Sequence, residues 1–265
     1  MSRIADRFAK LKESGGKALV CFVTAGDPNL ETTKRIVLAL ERAGADIVEL
    51  GVPFSDPIAD GPSIQASSMR ALASGTNVPK VLDLVRSIRR ESGLPLVLMT
   101  YYNLIEHYGL SRFADEAASA GVDGVILSDL TPEDSGGWKT AADARGLDTI
   151  FLLAPTSTEE RIRRVAQLAS GFIYCVSRTG VTGAQAEMAE GVRDLVARIR
   201  SATEKPIAVG FGISTPGQVR DVCGYADGAV VGSVLVNLIA ENADSPALLT
   251  ELNDLVSALK AGIHA

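Results

Sequence analysis

The sequence predicts an α/β protein: a single (β/α)8 TIM barrel spanning residues 1–265, with an extra helix at its N-terminus. Three observations carry this expectation. Eight short apolar runs rich in β-branched residues recur along the chain, amphipathic stretches separate them, and each run is largely apolar on both faces, as parallel strands covered by helices are. A chain of 265 residues with 46% hydrophobic content can bury one large core, and no shift in composition marks a domain boundary.

The elements follow in order. Arg3, Asp6, Arg7, Lys10, Lys12 and Glu13 fall in a helical pattern, which gives the extra helix. The predicted strands are 18–24 (ALVCFVT), 46–52 (DIVELGV), 94–100 (LPLVLMT), 124–130 (GVILSDL), 149–155 (TIFLLAP), 172–178 (FIYCVSR), 206–212 (PIAVGFG) and 228–234 (GAVVGSV). Between them, 31–44, 81–93, 111–121, 159–171 and 191–202 place apolar residues at helical spacing, and glycine closes several of these stretches. A weak repeat, AGADIVEL, AGVDGVIL and YADGAVVG, brings Asp46, Asp123 and Asp227 to the N-terminal ends of strands. In a barrel that face carries stability while the opposite face carries chemistry, so these aspartates are read as structural. A doubly wound open sheet is the competing architecture, but TAGDPN stands after the first strand where a Gly-x-Gly-x-x-Gly turn would be expected.

Composition removes several function classes. Net charge −6 and a pI near 5.1 argue against a nucleic-acid or anionic-membrane surface, so an anionic ligand would have to be held locally. Cys21, Cys175 and Cys223 are odd in number and far apart, which indicates neither a disulfide framework nor a zinc site. With only His107 and His264, no histidine-based metal centre or Ser-His triad is expected. The first twenty residues hold no long apolar stretch, and a cytoplasmic address is the default expectation.

The segment ELGVPFSDPIADGP (49–62) is the most informative. Glu49 lies near the C-terminal end of the second predicted strand, at the barrel mouth, with no Lys or Arg in that strand to neutralise it, a setting that raises a carboxyl pKa. Asp60 follows in a loop stiffened by Pro53, Pro57, Gly61 and Pro62; two acidic groups on one active face fit paired acid–base work. Asp56 reads equally well as a turn former. Across the mouth, GVTG (180–183), GFGIS (210–214) and GSV (232–234) bring glycines to the ends of the last three predicted strands. Backbone N–H groups there, with a helix dipole behind them, can hold a phosphate without a basic side chain.

With these residues in view, ELGVPFSDPIADGPSIQ, SRTGVTGA, VGFGIS and FVTAGDP together resemble the tryptophan synthase α chain family from about residue 15 to residue 240. The resemblance implies a barrel enzyme that splits indole-3-glycerol phosphate into indole and glyceraldehyde 3-phosphate, works docked to a β chain in an α-β-β-α heterotetramer, and needs no cofactor or metal. By motif it makes Glu49 and Asp60 the catalytic carboxylates. Phe22 and Tyr174 would line the substrate pocket, Thr182 would sit in the loop after the sixth strand, and Phe211 would face the indole. Gly183, Gly212, Ser214, Gly232 and Ser233 would hold the phosphate. A retro-aldol cleavage needs an electron sink; no predicted strand ends in lysine, and an indole protonated at C3 can serve as its own. Segment 179–190, with small residues and no apolar face, is expected to be mobile and to close with Thr182 beside Asp60. The loop after the second strand is expected to expose Pro53, Ser55 and Asp56 on the partner-facing rim.

Overall fold

The computed structural model describes residues 2–176, 185–210 and 212–263. One parallel sheet contains β1 (Ala18–Thr24), β2 (Ile47–Gly51), β3 (Leu96–Thr100), β4 (Gly124–Leu127), β5 (Asp148–Ile150), β6 (Leu152–Leu153), β7 (Ile173–Val176), β8 (Ile207–Gly210) and β9 (Gly228–Val231). Its order, β5-β4-β3-β2-β1-β9-β8-β7-β6, makes eight staves from nine strands. The fifth predicted strand is parted at Phe151: β5 pairs with β4, while β6 pairs with β7, so the ring is complete save for that break. The predicted strands otherwise hold, several of them trimmed by one to three residues at their ends.

The described helices are α1 (Arg3–Glu13), α2 (Leu30–Arg42), α3 (Pro62–Ala73), α4 (Val78–Arg89), α5 (Tyr102–Tyr108), α6 (Leu110–Ala120), α7 (Gly136–Asp143), α8 (Glu159–Leu168), α9 (Gln185–Ala202), α10 (Pro216–Cys223), α11 (Ser233–Glu241) and α12 (Leu248–Gly262). None of them is long and apolar enough to cross a membrane. Helix α9 begins at Gln185, so the second half of the loop expected at 179–190 is helical; the Ala- and Glu-rich run there favours a helix. The first half lies outside the described residues.

Two apolar clusters separate by strand parity. Leu19, Cys21, Val48, Leu50, Leu96 and Leu98 face outward into the layer between sheet and helices. Ala18, Val20, Ile47, Val97, Ile126, Ile150 and Val230 fill the barrel interior, and Ile4, Phe8 and Leu11 of α1 plug its lower end. That alternation, period two along every stave, puts every second strand residue on the barrel axis.

The repeated aspartates explain themselves here. Asp46 accepts the Leu19 N–H (2.7 Å) and donates its own N–H to the Leu19 carbonyl (2.9 Å). Asp123 does the same with Leu96 (2.8 and 2.9 Å), and Asp227 with Ile207 (2.9 and 2.8 Å). Each locks a neighbouring stave at the lower face, and each carries a cation: Lys260 on Asp46, Arg89 on Asp123 and Arg200 on Asp227. Helix α1 joins this layer through Arg3 to Asp123 (2.8 Å) and Ser2 to Asp148 (2.5 Å).

Candidate active site

Glu49 shares the inward parity of Ile47 on β2 and stands beside Phe22 of β1 in the strand register. Its side chain is fully buried, and neither carboxyl oxygen meets a hydrogen-bond partner among the described residues. Burial alone pushes its pKa up to about 8. At neutral pH the group is mostly a neutral acid, able to give a proton and, once charged, strongly driven to regain one.

Two aromatic residues expected in the pocket flank this carboxyl. Phe22 is buried on β1, and Tyr174 is buried on β7, close enough for the Glu49 charge to raise its hydroxyl pKa further after burial has done so. Both rings need a neighbour without a side chain. A Cβ on Gly51 would lie 2.6 Å from Cζ of Phe22, and one on Gly210 would lie 2.4 Å from the Tyr174 hydroxyl oxygen. Only glycine permits these approaches. The sequence reading took GFGIS (210–214) for the phosphate and gave Gly210 no role against Tyr174, and it did not single out Gly51; a glycine at an inward position near a strand end was the available signal.

Asp60 sits in the turn between β2 and α3. Its N–H reaches the Pro57 carbonyl (3.0 Å), and its own carbonyl accepts from Gln65 Nε2 (2.9 Å). Tyr101, just past β3, accepts the Ala59 N–H on its hydroxyl (3.1 Å) and stacks on Phe54 at 5.0 Å. Burial raises the Asp60 pKa, and the hydrogen bond from Tyr101 works against that rise. Tyr101 is a site residue that the sequence reading missed. Along the same loop Ser55 and Asp56 are exposed as expected, but Pro53 is buried, because it follows the end of β2 too closely to leave the core.

The far side of the mouth presents two helix ends of different kinds. Helix α10 is self-capped: Gln218 Oε1 accepts the N–H of Thr215 (3.1 Å) and of Ser214 (2.8 Å), and Thr215 Oγ1 accepts the N–H of Gln218. Helix α11 starts at Gly232 with no side-chain cap, leaving the first-turn N–H groups of Ser233 and Val234 without a partner among the described residues. Gly232 lies against Phe22, a Cβ there being 3.4 Å from Cβ of Phe22. Gly212 has φ +52° and open space beside it. The structure thus brings Glu49, Phe22, Tyr174, Gly232 and Ser233 to one mouth, with Asp60 at its rim. Thr182, Gly183 and Phe211 lie outside the described residues.

Known proteins with the same fold and sequence pattern are numerous. The family model for the tryptophan synthase alpha chain matches residues 8–264. The tryptophan synthase alpha chain of Geotalea daltonii is 57% identical over 265 residues, covering 100% of both chains, and that of Geobacter sulfurreducens is 56% identical over 263 residues, covering 99% of each. The crystal structure of tryptophan synthase subunit alpha from Legionella pneumophila superposes with a TM-score of 0.92 at 38% identity, covering 100% of this chain and 99% of that one. A Mycobacterium tuberculosis tryptophan synthase structure gives 0.91 at 36% identity, covering 100% and 99%. The chain belongs to the tryptophan synthase α chain family, the carbon–carbon lyases that cleave indole-3-glycerol phosphate to indole and glyceraldehyde 3-phosphate in tryptophan biosynthesis.

Proposed function

We propose that Glu49 carries both proton transfers of the cleavage and that Asp60 stabilises the charge on the indole nitrogen. The observation that supports this reading is the buried Glu49 carboxyl, unpaired among the described residues and holding its proton to about pH 8. The neutral acid protonates indole C3, which makes an indolenine cation and leaves a carboxylate. That carboxylate then takes the proton of the glycerol hydroxyl next to the ring; the carbon–carbon bond breaks, its electrons return to the ring, and an aldehyde leaves. Asp60 on its braced turn accepts the ring N–H and meets the positive charge with a carboxylate already in place. Phe22 and Tyr174 shape the pocket, with Phe211 against the indole.

The phosphate is assigned to the uncapped α11 end, Gly232 and Ser233, with Gly212, Gly183 and Ser214 around it. Ser214 joins only by giving up its bond to Gln218. The chain works with a β chain; we assign the assembly as an α-β-β-α heterotetramer, docked on the rim that exposes Ser55, Asp56 and the 88% exposed Ile58. Closure of the Thr182 segment onto Asp60 would link that rim to the site. Three free, buried cysteines suit the reducing cytoplasm.

The test is Glu49→Gln, assayed for indole release with and without a β chain. General acid–base roles are worth about 10²–10⁴ in rate, and a group performing two transfers stands at the upper end. Substantial residual cleavage by a well-folded variant would remove Glu49 from the mechanism.

A further inference from the structure

We propose that Ser128 is a specificity-determining residue, a hydrogen-bonding group facing the aromatic end of the substrate that lets the site accept indoles bearing a hydroxyl on the six-membered ring. The inference rests on placing the phosphate at the α11 end.

Ser128 follows β4 directly. Its N–H bonds to the Thr100 carbonyl at 2.9 Å, which extends the β3–β4 ladder by one residue and preserves the alternation of side chains. Val125 and Leu127 face outward, Ile126 faces the barrel axis, and Ser128 therefore faces the axis one layer above Ile126. Its Oγ is buried and meets no hydrogen-bond partner among the described residues. In the same register Ser128 stands beside Tyr101, the residue that braces the Asp60 turn.

The order of staves says which end of a ligand it meets. Four steps separate β4 from β9 in either direction around the ring, so Ser128 is diametrically opposite the uncapped start of α11. A ligand anchored there by its phosphate extends across the mouth, past Glu49 on β2, and delivers its aromatic ring toward β3 and β4. The only polar group of an unsubstituted indole ring is its N–H, which Asp60 takes. The Ser128 hydroxyl then lies against ring carbon, where a buried hydroxyl without a partner is costly. A ring hydroxyl in reach would satisfy it, and a site that hydrogen-bonds a substrate hydroxyl discriminates in favour of it.

The experiment runs the purified full-length chain in the synthetic direction, indole C3 adding to the aldehyde carbon of glyceraldehyde 3-phosphate, with indole and with 4-, 5-, 6- and 7-hydroxyindole. The wild type, Ser128→Ala and Ser128→Thr are compared by the ratio of kcat/KM for each hydroxyindole to that for indole. For at least one ring position this ratio should fall about tenfold in Ser128→Ala and be restored in Ser128→Thr, the size expected for one neutral hydrogen bond. A ratio that moves less than about threefold at all four positions, or a fall that the threonine hydroxyl does not restore, overturns the assignment. Competition by a glycerol phosphate analogue against Gly232 variants tests the phosphate placement separately, so the two failures are distinguishable.

Discussion

The Tyr101 hydroxyl accepts the backbone N–H of Ala59, one residue before Asp60, at 3.1 Å. The end of β3 thereby grips the turn that follows β2, and the same hydroxyl offsets part of the upward push that burial gives the Asp60 pKa. Tyr101→Phe removes both effects. Asp60 should then hold its proton to higher pH, shifting the acid limb of kcat/KM upward, with cleavage at neutral pH reduced about tenfold. Superimposable pH profiles for the two proteins would detach Tyr101 from Asp60.

Glu49 should cost stability as the pH rises. Its folded pKa of about 8 lies above the ordinary 4.5, so between those values the unfolded chain is ionised while the folded chain keeps the proton. Folding is therefore progressively disfavoured through that window and levels off above it. Glu49→Gln lacks the penalty: it should match the wild type near pH 4.5 and exceed it by on the order of 4 kcal/mol near pH 8. Denaturant unfolding at pH 5 and pH 8 checks this, and parallel losses in both proteins would contradict a buried, protonated Glu49.

The barrel was legible because both faces of each stave are apolar, a pattern that survives reading one residue at a time. Glu49 was legible for the same reason, as a charge set between apolar residues near the mouth end of such a run, with no Lys or Arg in that run. The break at Phe151 was not, since β5 and β6 are distinguished only by which neighbour each pairs with. Helix α3 also escaped: its N-cap is Gly61, which makes no side-chain cap bond, and its buried positions are Ser67, Ser68 and Ala71, so it shows no strong apolar stripe. Tyr101 acts through a backbone N–H 42 positions away, a relation that only the fold creates. The repeated aspartates were placed correctly at strand starts, but their reciprocal bonds with neighbouring staves belong to the register.

Gly51→Ala and Gly210→Ala should damage the pocket more than the fold. The added methyl collides with the far ends of Phe22 and Tyr174 respectively, so each ring must leave its place beside Glu49. Overpacking of this kind costs about 1–3 kcal/mol, whereas a displaced pocket wall can cost about 10²-fold in rate. Each variant should melt as a folded barrel with kcat/KM reduced far more than its stability; the reverse pattern would assign these glycines to stability alone.

Asp227 should make the barrel acid-sensitive. Burial raises its pKa, but the Arg200 hydrogen bond, the Ile207 N–H and the charges of Arg200 and Lys17 outweigh that and hold it below the usual carboxylate range. A depressed folded pKa contributes stability that is present above the unfolded value and disappears as the pH falls through the folded one. Asp227→Asn should therefore lose about 1–3 kcal/mol at pH 7 and nothing relative to the wild type in strong acid. Equal stability of the two at pH 7 would show that the amide replaces the carboxylate in locking β8.

The two helix ends at the mouth differ in what they can offer an anion, and that difference predicts where phosphate affinity resides. Gln218 already occupies the N–H groups of Ser214 and Thr215 at α10, whereas the first N–H groups of α11 have no partner among the described residues and lie at the positive end of the helix dipole. An oxyanion held by such neutral donors needs the backbone to come close, and Gly232 keeps that approach open beside Phe22. Gly232→Val should raise the inhibition constant of a glycerol phosphate analogue at least about tenfold, since one to two charge-assisted hydrogen bonds are worth that much. Gln218→Ala, which frees the Ser214 N–H, should leave it level or tighten it. Alanine replacement of each Lys and Arg in turn should have smaller effects than Gly232→Val. A single basic side chain that dominated the affinity would move the phosphate away from α11, and with it the end of the barrel toward which the indole ring points.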